Sequence, residues 1–286
     1  MSVESATTYR VIYPRVRRRR PPLVRWYRRN ERVVLGLGGL AAFVVLWQVL
    51  SGAGVVDPLF FGSPQGVFQA GVREVQIPRF WNDVRYSLTE VTVGFLASLV
   101  LAVPLGLAIG WYRRVSFAFD PWLNFLNAIP RPALIPLVVL WVGLGIEMKT
   151  IIVFLGGFFS IILPTVEGVR TVDQQLLDVA HSFRASQRRL FTSVVIPATV
   201  PFIAAGVRLA LGRLLIGVVV AELYAQTEGI GVLIERAADV LDGNRMLFGV
   251  LLFTLMGVLT TEAAGRVERH FQRWRPSANL DLEEGT

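Results

Sequence analysis

The 286-residue sequence contains no cysteine and only two histidines, and just 17% of its residues are charged. The missing cysteine rules out disulfides and thiolate metal sites. His181 and His270 both fall in segments expected outside any apolar run, and no His/Asp/Glu grouping has metal-ligand spacing. Also missing are a glycine-rich phosphate loop after a strand and a Gly-x-Ser-x-Gly elbow. The sequence therefore offers no constellation for an enzyme, and no nucleotide-binding motif of its own.

What is present is apolar. Hydrophobic residues make up 53% of the chain and mean hydropathy is +0.53, whereas soluble domains carry about a quarter charged residues. Lipid is the implied solvent. The net charge of +8 could suggest nucleic acid, but the cations cluster between apolar runs rather than on a polar surface. Ten arginines lie between Arg10 and Arg32, including Arg17 to Arg20 ahead of Pro21 and Pro22, with Glu31 as the one acid. Two roles fit this arm: an orientation signal that also attracts anionic lipid, or a regulatory or RNA-binding extension. The basic region is long and the apolar run that follows exceeds a secretory signal's ~7–15 residues, so a retained first span is expected.

A bilayer core needs about 20 mostly apolar residues per helix. Val33–Val56 and Val91–Tyr112 meet this without a charge, and four more candidates are shorter or interrupted: Pro121–Ile146, Thr150–Val166, Pro197–Leu223 and Met246–Thr261. The expected fold is thus all-α integral membrane with about six spans. A basic arm (1–32), one membrane domain (33–265) and a C-terminal tail (266–286) make up the chain. Arginine asymmetry puts the arm, Arg113-Arg114, the 167–192 segment and the tail on one side, with both termini cytoplasmic. The loops at 57–86 and 224–245 then face outward.

Intramembrane ionisable residues are candidates for function. In the fifth span Arg208 and Glu222, fourteen residues apart, project within ~40° of one another at 100° per residue and could line one face of a path, as could Arg213. The alternative is that the arginines reach for one interface and Glu222 for the other. Asn127 belongs to an irregular third span, with Asn124, Pro130, Arg131, Pro132 and Pro136. Either a simple kink or broken backbone facing a watery cavity accounts for it. A secondary carrier or channel with six helices is the competing function class, but it needs coupling-ion or selectivity groups at the midplane, and only Arg208, Arg213 and Glu222 offer any.

Between the fourth and fifth spans, Leu176, Leu177, Ala180 and Phe183 form an apolar stripe at helical spacing outside the membrane. Asp178 and Ala180 are followed, with full spacing, by Val194-Val195-Ile196-Pro197. In this pattern the chain resembles binding-protein-dependent ABC importer permeases, whose signature reads Glu-Ala-Ala, three residues, Gly, nine residues, Ile-x-Leu-Pro. Ala133-Leu134-Ile135-Pro136-Leu137, Trp141-Val142-Gly143-Leu144-Gly145 and Gly229-Ile230-Gly231-Val232-Leu233-Ile234 extend the likeness over roughly 57–275, most closely to the nitrate, sulfonate and taurine branch.

The resemblance implies a type I (MetI-like) permease fold with a coupling loop at about 167–197, in which Leu177, Asp178, Ala180, Phe183, Arg184 and Pro197 meet an ATPase. It also implies two permease copies forming a homodimer, two cytoplasmic ATPase subunits that carry ATP and magnesium, an extracytoplasmic solute-binding protein, and a small anionic cargo. One departure stands out. Arg184 occupies the position of the family's glycine, where a left-handed turn would cost a side-chain-bearing residue ~1–2 kcal/mol, so the turn is disfavoured there and its geometry and the coupling to the ATPase are left open.

Overall fold

The computed structural model describes residues 22–272, so most of the basic arm and the tail from residue 273 lie outside the described residues. Every regular element among the described residues is helical. In chain order they are α1 (Pro22–Gly52), the short α2 (Pro58–Phe61), α3 (Pro64–Val75), α4 (Pro78–Trp111), α5 (Arg113–Ala128) and α6 (Ile135–Val142). Then follow α7 (Ile146–Arg170), α8 (Gln174–Ser182), the short α9 (Gln187–Leu190), α10 (Ile196–Ala225), α11 (Ile230–Asp239) and α12 (Gly243–Gln272).

Five helical stretches are long and apolar enough to cross a bilayer: Asn30–Gly52, Pro78–Trp111, Ile146–Arg170, Gln187–Ala225 and Gly243–Arg266. The sixth crossing is broken, because α5 and the segment Arg131–Val142 meet at 93°. Pro130 and Pro132 flank the break and Pro136 follows it. Three missing N–H donors leave too few bonds to carry one helix through, so the expected third span is an angled pair of short helices. The described residues form an all-α membrane protein, with six spans once the bent pair is counted.

The core is α7, sandwiched between α4 and α10. Residues on its two flanks come from clusters such as Ala102, Ile109, Phe159, Ile162 and Ala210, and Val91, Val153, Leu214 and Val218. On α4 the buried side is small or polar: Asp83, Ser87, Glu90, Gly94, Ser98 and Ala102 recur every three or four residues. Apolar residues such as Leu88, Leu96, Val100 and Leu101 face outward. Lipid supplies no hydrophobic drive between helices, so close approach and cross-helix bonds hold them instead. A side chain at Gly94 would come within 2.5 Å of Val153, and the Ser98 hydroxyl donates to the Phe154 carbonyl at 2.8 Å.

α4 begins thirteen residues before the expected span, because its polar first half is hidden inside the bundle rather than exposed in a loop. α1 starts within the expected basic arm and stands at the periphery, packing chiefly on α3. Alternation of the spans defines two ends. The loop end carries α8 and α9; the far end carries α2, α3 and α11.

Candidate functional site

At the loop end, Asp173 caps α8 by accepting from the Gln175 N–H at 2.8 Å. The helix packs extensively on none of the membrane helices, and its apolar residues divide. Leu176, Val179 and Phe183 are 47%, 56% and 83% exposed, while Leu177 and Ala180 are half-buried. Asp178 is exposed and accepts from the Gln174 amide. The exposed stripe therefore includes Val179, absent from the sequence expectation, and turns Leu177 inward.

α8 stops at Arg184, which takes a left-handed conformation (φ +53°). The Arg184 N–H donates to the His181 carbonyl at 2.8 Å and the Ala185 N–H to the Ala180 carbonyl at 3.1 Å, the bonding of a glycine-type helix terminus. The left-handed turn is formed in full, with arginine adopting the conformation. Past it, Ala180, Phe183, Arg184, Arg189 and Val194 border a groove of about 460 Å³. Pro197 follows a widened helical turn, Phe191–Val195, whose Ile196 N–H reaches back to Phe191. Proline lacks an N–H and crowds the carbonyl four residues back, so the turn opens to i→i+5 spacing.

Two cavities lie against the broken span. One, of about 480 Å³, is bordered by Asn127, Arg131, Ile152, Gly156, Arg213 and Gly217 among others. The second, of about 530 Å³, shares Asn127 and Arg213 and adds Asp120, Asn124, Glu167 and Arg170. In it Arg170 is paired with Asp120 at 2.6 Å. Of the sequence-predicted path residues, Asn127 and Arg213 border both cavities. Arg208 lies outside both and pairs with Glu268 of α12 at 3.1 Å. Glu222 is fully buried, so it and Arg208 do not share one open face; each is taken up by a different neighbouring helix.

Glu222 belongs to a polar cluster at the far end that sequence reasoning missed. The Ser87 hydroxyl donates to Glu222 Oε1 at 2.5 Å, and three successive N–H groups opening α11 are all accepted by side chains of other elements. Gly229 donates to Asp83 at 3.0 Å, Ile230 to Ser87 Oγ at 2.9 Å and Gly231 to Glu222 Oε2 at 2.6 Å. Gly229 has φ +126°, and a side chain there would run into the Glu222 carboxylate. Beside this, Lys149 Nζ donates to Glu90 at 2.9 Å and to the Glu228 carbonyl at 2.6 Å. Lys149 is the only lysine of the chain; its compact ammonium fits a closed slot with two acceptors where a planar guanidinium would not. Periodicity carried the signal for Ser87 and Glu90, since both continue the small-and-polar stripe of α4.

The family profile described as "Binding-protein-dependent transport system inner membrane component" matches residues 102–273. A putative aliphatic sulfonates transport permease protein of Bacillus subtilis is 30% identical over 83% of this chain and 86% of its own length. The taurine transport system permease protein of Escherichia coli is 27% identical over 86% and 91%. Among solved structures, a bacterial alginate ABC transporter in complex with alginate pentasaccharide-bound periplasmic protein aligns with a TM-score of 0.56 over 87% of this chain and 99% of the other, at 16% identity, a likeness of fold. The chain belongs to the family of binding-protein-dependent transport system inner membrane components, as a multi-pass ABC importer permease of the inner membrane.

Proposed function

We propose that this permease is driven by ATP hydrolysed, with magnesium, on two cytoplasmic ATPase subunits, and that it passes a small sulfonate- or taurine-like anion. Two copies of the chain form the path, and an extracytoplasmic solute-binding protein delivers cargo to the far end. The loop end, with both termini, faces the cytoplasm. The names of the sulfonate and taurine relatives support the cargo class, and the arginine-rich loop end supports the orientation.

The single observation that carries this reading is α8. A nine-residue helix standing off the bundle with Leu176, Val179 and Phe183 exposed leaves its apolar face without a partner among the described residues. A cleft on an ATPase subunit would cover that face, and Ala180, at the border of the adjoining groove, sets the contact's inner edge. Closure of the ATPases on nucleotide then moves α8 as a lever and switches the path between outward and inward openings. Replacing Ala180 with Asp puts an unpaired charge into that contact, which costs several kcal/mol when buried. The Ala180→Asp protein is expected to reach the membrane, lose its ATPase on affinity purification and fail to import. Normal co-purification together with normal import would refute the assignment.

A further inference from the structure

Arg131 and Arg213 are cations at membrane depth with no carboxylate partner among the described residues. Arg213 sits near the middle of α10, seventeen residues from Ile196 and twelve from Ala225, and Arg131 opens the second half of the broken span. Their hydrogen bonds are long and neutral: Arg131 to Asn127 Oδ1 at 3.4 Å and Arg213 to Ser160 Oγ at 3.5 Å. Arg131 also lies 5.9 Å from the ring of Phe159. Both border one cavity, and like charges facing one space repel one another. Each carries five N–H donors in a planar fork, so most of that donor capacity is unspent.

Charge in a membrane is costly and is retained where it serves a pathway. Here the two cations border the same cavity, which has no acidic residue on its walls. The neighbouring cavity, reached past Asn127 and Arg213, is different: its Arg170 is already neutralised by Asp120, and Glu167 adds negative charge. An anion is therefore attracted at the first cavity and not held at the second. That gradient is what transport needs, since a site must favour arrival and still permit departure.

We infer that Arg131 and Arg213, with Asn127 on the same cavity wall, form an oxyanion subsite on the translocation path that takes the head group of a small sulfonate or a comparable oxyanion. The inference rests on the importer reading above and deepens it by naming the residues that recognise charge. An oxyanion seated between the forks relieves their mutual repulsion and accepts from both at once. If two copies face each other across the path, four guanidiniums ring it at one depth.

The test uses the purified wild-type permease–ATPase complex without nucleotide. Arginines are modified with phenylglyoxal and followed individually by peptide mass spectrometry, in the presence of ethanesulfonate, nitrate or the uncharged ethyl methyl sulfone. Ethanesulfonate or nitrate should slow labelling of Arg131 and Arg213 together by at least about three-fold, leaving Arg114 unchanged, and the sulfone should protect neither. The better protector tells a tetrahedral from a planar cargo. No protection by either anion, or equal protection by the sulfone, overturns the subsite. In a complex carrying Arg213→Gln, anions should no longer protect Arg131, while Arg213→Lys restores part of the effect. Undiminished protection of Arg131 in Arg213→Gln would overturn the two-arginine site. Labelling requires neither ATP nor transport, so a failure of ATP-driven uptake would count against the importer reading while leaving this result intact.

Discussion

Replacing Lys149 with Met isolates the energetics of the far-end cluster. The side chains of Lys149 and Glu90 are 2% and 0% exposed and their charges lie 2.9 Å apart. With an effective dielectric constant of about 20 their attraction is about 6 kcal/mol, but taking each ion out of water costs several kcal/mol, so the intact pair is near break-even. Removing the ammonium is a different matter. Glu90, fully buried, is left without a cation, at about 3–5 kcal/mol. The Glu228 carbonyl also loses its donor, adding about 1 kcal/mol. Heated detergent extracts, read by the fraction of monodisperse protein on size exclusion, should show the Lys149→Met protein failing well below the wild type. The double substitution Lys149→Met with Glu90→Leu removes both charges and should recover much of the loss, because the two sites share one interaction. A single variant as heat-resistant as the wild type, or a double variant worse than the single, would refute this account.

Arg184→Gly removes the left-handed strain at the end of α8 and should raise heat resistance by up to about 1 kcal/mol with ATPase recovery unchanged or improved, measured by the same assay and by affinity purification. Gly94→Leu drives side-chain atoms into Val153 and toward the backbone of Phe154, so separation of α4 from α7 at a cost of about 1–3 kcal/mol should appear as early loss of the monodisperse peak. Reporter fusions after Arg114 and Gln187 should read cytoplasm and those near Gly71 and Glu235 the outside; an external signal at Gln187 would place the α8 loop where no ATPase could reach it.

Charge-free runs made α1 and the second half of α4 legible, and the spacing from Asp178 to Pro197 located the loop. The same criterion hid the first half of α4. Glu90 stands one residue before the charge-free window, and a search for uncharged length assigns it to a loop, although its three-to-four-residue spacing with Ser87 and Gly94 marks it as part of a buried face. Lys149 was similarly obscured, since it lies at the start of a span and only its partners on α4 and beyond α10 explain its burial. Arg208 and Glu222 stand on one helix as expected, and each meets a different neighbour. Angular projection fixes direction but says nothing of the neighbours, Glu268 and the α11 terminus, that claim each side chain. The prolines at 130, 132 and 136 signalled an interruption; its 93° angle depends on how α5 and α6 dock on α7, which no local pattern encodes.

That angle bears on biosynthesis. At 1.5 Å per residue, the sixteen residues of α5 reach about 24 Å and the eight of α6 about 12 Å, and neither alone crosses the ~30 Å of hydrocarbon. The freed backbone groups near Pro130 can be satisfied against protein or a water-filled cavity, but not against lipid. As the chain leaves the ribosome, residues 113–142 cannot settle in lipid as an independent helix. They must wait at the insertion machinery until α7 has been made, and enter the bilayer with it as one unit.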